Sequence, residues 1–410
     1  MKRIILLLLA VLMLLCGCSA LGDSDSTKNT LPPLETLGDD PRDSDEEKDS
    51  AAQNNVLYQQ TRDNGLQVTV YDDGRMLLSG ASVEENLKDT NILTDYLDKV
   101  TTLELGVGVE TVDKKAFEGF SGLQKVIMSD SVETVEYRAF ADCTALTDIS
   151  FGDSLTAIES YAFSGCTALR DAVLPESVVS IGDYAFENCT SLKHVEIGPG
   201  VTEFGADMFS GCTAFSSLDC ASSVTDSAFK NCTALKTVTL RDTVSVLESR
   251  AFSGCTALTE VKFPKSLTNI GSYAFSGCTA LSDIQIPASV TLVDTEAFAG
   301  CTALTTITIA PDGNLVLGDS AFYGCTALKE VVLPEGVVEL GEKVFAECTA
   351  LDKVTLPLSL KKIGYGVFYN ASALRKINYR GSSSQWSSIT KDKKWSTYAG
   401  TTTVTYNVKD

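Results

Sequence analysis

Thirteen cysteines and a single histidine bound the chemistry open to this 410-residue chain. Thiolates can attack carbonyls, ligate zinc or pair as disulfides, and each role needs partners at a suitable spacing. No CxxC pair occurs, and His194 is the one imidazole available as base or ligand. His194 sits between Lys193 and Val195-Glu196 at a variable position, where an exposed side chain with no catalytic task is expected. Neither GxxxxGK[ST] nor GxSxG is present, and Gly364-Tyr365-Gly366 lacks the third glycine of a dinucleotide fingerprint. Asp72-Asp73-Gly74 resembles half a calcium loop, but a hairpin turn uses the same residues. These patterns assign no catalytic residue, no metal and no cofactor.

Ten cysteines instead fall in register: Cys143, Cys166, Cys189, Cys212, Cys232, Cys255, Cys278, Cys301, Cys325 and Cys348. Successive gaps are 23 or 24 residues, except 20 between Cys212 and Cys232. Around each lies one unit, A-F-x-x-C-T-A-L, then an apolar-x-apolar pair, then Val or Ile with Gly, then A-F again. Phe120 and Ala371 hold the cysteine slot one unit beyond each end, so about twelve turns run from Phe117 to Tyr379. The period lies within the range of about 20–29 residues of leucine-rich repeats. Leu281-x-x-Ile284-x-Ile286 suits a short strand, because its last two apolar residues share a face. Stacked turns predict a β-rich solenoid with a parallel ladder. Val290, Val293, Ala297 and Phe298 would pack the opposite wall.

The cysteines would then form one buried column. Their Cβ vectors would be parallel, which disfavours bridging, so weak thiol hydrogen bonds to turn carbonyls are expected; a disulfide framework is the alternative. Cys220 aligns with the strand position of Phe263 or Ile286 and is expected to be a buried hydrophobe. The 20-residue turn should make a local kink or indentation.

The N-terminus reads as an address. Lys2-Arg3 precedes an apolar run from Ile4 to Leu15, too short to span a hydrocarbon core of about 30 Å. Leu15-Cys16-Gly17-Cys18-Ser19 resembles the bacterial lipobox, which implies that Cys18 carries the lipid and Cys16 leaves with the signal. An uncleaved anchor or an ordinary secretory signal is the other reading. Residues 19–55 form an acidic, disordered tether; residues 19–50 hold ten acidic and three basic side chains. The whole chain carries −21, which argues against nucleic acid as partner. Residues 373–410 are the exception, with seven basic and two acidic residues beside Trp386, Trp395 and Tyr398.

Residues 56–100 read as an N-terminal cap, with a hairpin over Val68–Gly80; residues 101–379 are the solenoid and 380–410 the C-terminal cap, marked by Tyr379-Arg380-Gly381-Ser382, Gln385-Trp386 and Ile389. With the twelvefold unit, these ends resemble the BspA-like, treponemal-type leucine-rich repeat proteins of bacterial surfaces. That resemblance implies adhesion to host or neighbouring-cell proteins; with the N-terminal address, the expectation is an exported, lipid-anchored, monomeric protein of a bacterial envelope that binds an extracellular protein or glycan without catalysis. A structural envelope scaffold is the alternative, and an enzyme or enzyme accessory the third reading.

The candidate binding face is the row of outward strand residues. It includes Arg170, Lys193, His194, Glu196, Lys236, Glu260, Lys262, Lys329, Glu330 and Lys353. The row is mixed in charge and holds no aromatic side chain, so it names a surface without an anchor.

Overall fold

The computed structural model describes residues 55–83, 96, 99–198, 200–221, 224–311, 314–396 and 402–408. Cys16, Cys18, the tether and Tyr398 lie outside the described residues, as do the side chains of Asp219 and Cys220.

The fold is a parallel β-solenoid of about 13 turns, with almost no helix among the described residues. The strand of the Leu-x-x-Ile-x-Ile motif recurs once per turn, from Thr102–Leu105 to Lys376–Tyr379. Neighbouring turns place equivalent residues side by side: Leu103, Val126 and Ile149 occupy one row, and Glu104, Ile127 and Ser150 the next. The first rung thus precedes Phe117, one turn earlier than the phenylalanine motif marks it.

A second, narrower ladder runs along the opposite wall, and the repeat pattern did not disclose it as strand. Thr111–Val112, Thr134–Val135, Ala157–Ile158, Ser180–Ile181 and Glu203–Phe204 pair in parallel. Pairing resumes at Val246–Leu247 and continues to Thr390–Lys391. The interruption coincides with the 20-residue turn. The first ladder is also interrupted there: His194–Glu196 does not pair with Ser217–Ala221, which pairs onward to Thr237–Leu240 with a register shift between Leu218 and Ala221.

Every turn is bonded to both neighbours. Tyr161, Phe163 and Gly165 donate their N–H groups forward, to the carbonyls of Asp183, Ala185 and Glu187. Gly182 and Gly205 donate backward, to Ile158 and Ile181. Two residues per turn take the left-handed conformation: the one before Ala-Phe, as Tyr161 at φ 60°, and the one before Cys, as Gly165 at φ 74°. The second position is filled mostly by Gly, Asn or Asp, which tolerate it. Gly205 has a different reason: a Cβ there would lie 2.2 Å from the carbonyl carbon of Gly182.

The core is a stack of phenylalanines. From Phe117 through Phe140, Phe163, Phe186, Phe209, Phe229, Phe252, Phe275, Phe298, Phe322 and Phe345 to Phe368, consecutive ring centroids lie 5.2–6.1 Å apart, with planes 1–16° from parallel. The stack runs unbroken through the short turn, where Phe209 and Phe229 are 5.6 Å apart.

Caps close both ends. Val56–Thr61, Gln67–Tyr71 and Arg75–Ser79 form an antiparallel meander whose last strand pairs in parallel with Thr102–Leu105. Asp72 accepts from the backbone and side chain of Asn55, and Asp73 from the Arg75 amide, so these carboxylates serve the turn. At the other end Ser382 caps the helix Ser383–Ser388 in a reciprocal pair with Gln385. Trp395 meets Phe368 edge-on at 6.2 Å and Trp386 at 5.7 Å, so the aromatics of the basic C-terminal region cover the last turn. Lys391 is committed there too, over the Trp386 ring at 4.7 Å.

Removing one ring from the stack should cost far more than a surface change. Phe252→Ala is expected to destabilise the protein by about 3–5 kcal/mol, read as a lowered urea midpoint. An unchanged midpoint would mean that the stack is not the core.

Candidate functional site

All ten repeat cysteines are fully buried and unpaired as disulfides. Each thiol donates to the carbonyl of the phenylalanine in the turn before it. Cys143 meets Phe117, Cys166 meets Phe140, and so on to Cys348 and Phe322, at 3.1–3.4 Å. The acceptor is therefore across the turn boundary, and the bond ties consecutive turns together. Burial pushes the thiols of Cys212, Cys255 and Cys301 up to about 12. It is also the leading cause of the raised values at Cys189, Cys232 and Cys278. A thiol held neutral to such pH is a poor nucleophile and a poor metal ligand. Among the described residues no group of three or more His, Cys, Asp or Glu side chains could hold a metal.

The first ladder turns its alternate residues to solvent. Arg170, Lys193, His194, Glu196, Lys236, Glu260, Lys262, Lys329 and Glu330 are exposed along it. Register brings Asp171 beside His194 and Val173 beside Glu196. Val173 is 60% exposed and Val332 45%, which gives the row two apolar points. Lys262 lies 3.2 Å from Glu260, and Lys353 pairs with Glu330 across adjacent rungs. Such exposed pairs are worth little for stability. Six rung-to-rung steps separate His194–Glu196 from Glu330–Val332, roughly 30 Å at strand spacing.

The face is not open throughout. Thr355 and Asn378 lie in outward positions but are only 6% and 4% exposed, and Lys353 is half-buried. The Asn378 side-chain amide donates to the Thr355 hydroxyl, and Arg380 reaches back two turns to the Leu333 carbonyl. The C-terminal cap thus closes the last rungs, a long-range effect that no single repeat reveals.

Sequence reasoning missed a second surface. The left-handed position before Ala-Phe carries Tyr161 and Tyr184, stacked at 4.5 Å, and Tyr137 meets Tyr161 edge-on at 5.8 Å. Arg138 lies over the Tyr161 ring. Alignment of the units on their Ala-Phe pairs displays this column, since Tyr161, Tyr184 and Tyr273 fall at one slot.

The family profile described as BspA type leucine-rich repeat region matches six copies over residues 95–216, 222–314 and 309–392. No curated protein matched. Among solved structures, a leucine-rich repeat protein from Eubacterium ventriosum is 20% identical, with a TM-score of 0.53, over 87% of this chain and 96% of its own. One from Bacteroides ovatus is 22% identical over 86% of this chain and 98% of its own, with a TM-score of 0.49. The Treponema pallidum leucine-rich repeat protein is 27% identical over 54% of this chain and 90% of its own, with a TM-score of 0.35. The first of these shares the fold; no helix of the described residues is long and apolar enough to cross a membrane.

The raised thiols make stability depend on pH. An unfolded thiol ionises near pH 8.5, while the folded one stays neutral to about 12 at Cys212, Cys255 and Cys301. This contribution is complete below the unfolded value and is lost as pH rises through the window up to about 12. Each such thiol should lower stability by about 1.4 kcal/mol per pH unit there. Urea midpoints measured from pH 8 to pH 11 should therefore fall steeply, and the slope should flatten by one proton in Cys255→Ala. A flat profile would show that the thiols are not held neutral.

Proposed function

The chain belongs to the BspA-type leucine-rich repeat family, and on that premise we propose that it is an exported, lipid-anchored protein of a bacterial envelope that binds a partner surface without catalysis. The observation that carries this reading is the row of outward residues on the first ladder. A parallel ladder holds those side chains at fixed spacing on a rigid backbone, so a partner meets an ordered array with little ordering entropy left to lose. The mixed charges around Asp171, Lys193, His194 and Glu196 suit a polar protein or glycan surface, and Val173 adds an apolar contact. Binding there would gain specificity and association rate from charge complementarity more than raw affinity.

The anchor reading is supported by Lys2-Arg3, the apolar run and Cys18. An acidic tether of residues 19–55 would hold the solenoid off the membrane.

Two measurements test this function. Purified protein should show saturable capture on an array of matrix proteins, mucins and glycans at physiological salt. Capture should be lost when Lys193→Glu and Glu196→Lys are combined, a change on exposed side chains that leaves the fold intact. No capture above background would instead indicate a spacer. Separately, metabolic labelling with an alkyne fatty acid should mark the wild-type chain and fail to mark Cys18→Ala; equal labelling would place the lipid elsewhere.

A further inference from the structure

Pairing along the second ladder stops at Glu203–Phe204, before the 20-residue turn, and a groove lies beside the break. Its volume is about 680 Å³, within the range of small-ligand sites. The floor is made of short side chains, Ala157, Ser180 and Gly182, contributed by successive turns. Tyr137, 37% exposed, stands at one end. Phe204 stands at the other, and its position is informative. The equivalent residues on neighbouring rungs, Ile158, Ile181, Leu247 and Ile270, are buried, whereas Phe204 is only partly so. In the 20-residue turn the smaller Val224 takes the corresponding place.

The groove is acidic. No Lys, Arg or His lines it. Glu203, beside Phe204, is exposed and has no ion pair among the described residues. At the other end Glu159 lies under Tyr137, accepting from its backbone N–H at 3.0 Å. The hydroxyls of Ser160, Ser180 and Thr202 have no hydrogen-bond partner among the described residues and can serve a ligand backbone.

We propose that this groove binds an extended peptide of another protein that carries two basic side chains about four residues apart. One Lys or Arg would lay its aliphatic stem on Phe204 and its charge on Glu203. The other would sit over the Tyr137 ring beside Glu159. Both contacts use known preferences: long cationic side chains cover apolar rings, and cations sit on aromatic faces flanked by carboxylates. The ends are three turns apart, about 14 Å at strand spacing, which four residues of extended chain span. An acidic ligand is repelled, and a neutral saccharide leaves the Glu203 charge without a counterpart. The site lies on the second ladder and is independent of the face proposed above.

Fluorescence anisotropy of a labelled (Lys-Ser)5 peptide, titrated with the purified protein at physiological salt, tests it. Saturable one-to-one binding is expected, with none for (Glu-Ser)5 or for cello-oligosaccharide. Glu203→Gln and Tyr137→Ala should each weaken it by about threefold to tenfold. Glu248→Gln removes the same charge from an exposed site past the break and should leave it unchanged. Absence of saturable binding, an equal loss in Glu248→Gln, unaltered binding in both groove variants, or saccharide binding that the groove variants abolish would each overturn the proposal.

Discussion

Each turn of this chain buries its phenylalanine because the next turn supplies another. That mutual burial is the constraint on which the rest depends. A lone ring of Phe252 type would leave much of its face in water; between Phe229 and Phe275, at 5.5 and 5.3 Å, it has none exposed. The thiol of each repeat cysteine then fastens to the carbonyl of the preceding phenylalanine, which fixes the spacing of turns at the same point. Caps follow from the same logic. The end of the stack at Phe368 must meet something apolar, and Trp395 with Trp386 provides it.

The short turn shows which constraints rank first. Losing three residues between Cys212 and Cys232 left the phenylalanine stack and the thiol bond in place, since Cys232 still reaches Phe209 at 3.3 Å. The first ladder loses its pairing between His194–Glu196 and Ser217–Ala221 and resumes downstream with a register shift. The second ladder, built mostly from two-residue strands, gives way at the same turn. The strand pairing is what yields, and the result is a partly buried Phe204 beside a groove.

Much of this was legible in the residues. A fixed period with Cys, Ala-Phe and Leu in constant slots reports which side chains face inward, because a solenoid repeats one environment every turn. The second ladder was not legible: pairs such as Thr134–Val135 are too short to display a period of two. Nor was the acceptor of the thiol bond, which lies 26 residues back from Cys166 in the neighbouring turn. Thr355 and Asn378 look outward in their own repeats, and only the distant cap closes over their end of the ladder. The tyrosine column was visible once units were aligned on Ala-Phe, but its stacking needed the geometry of the left-handed position.

The claim that stacked turns are tied at the phenylalanine and cysteine positions, with the weak point at the short turn, is tested most directly by amide hydrogen exchange resolved along the chain. The N–H groups of Phe163, Phe252, Phe298 and their counterparts should be among the slowest to exchange. Apart from the Phe209 amide, which is bonded forward to Ala228 like its counterparts, residues 203–225 should exchange fastest within the solenoid. Uniform protection across that segment, or rapid exchange at the phenylalanine amides, would contradict it.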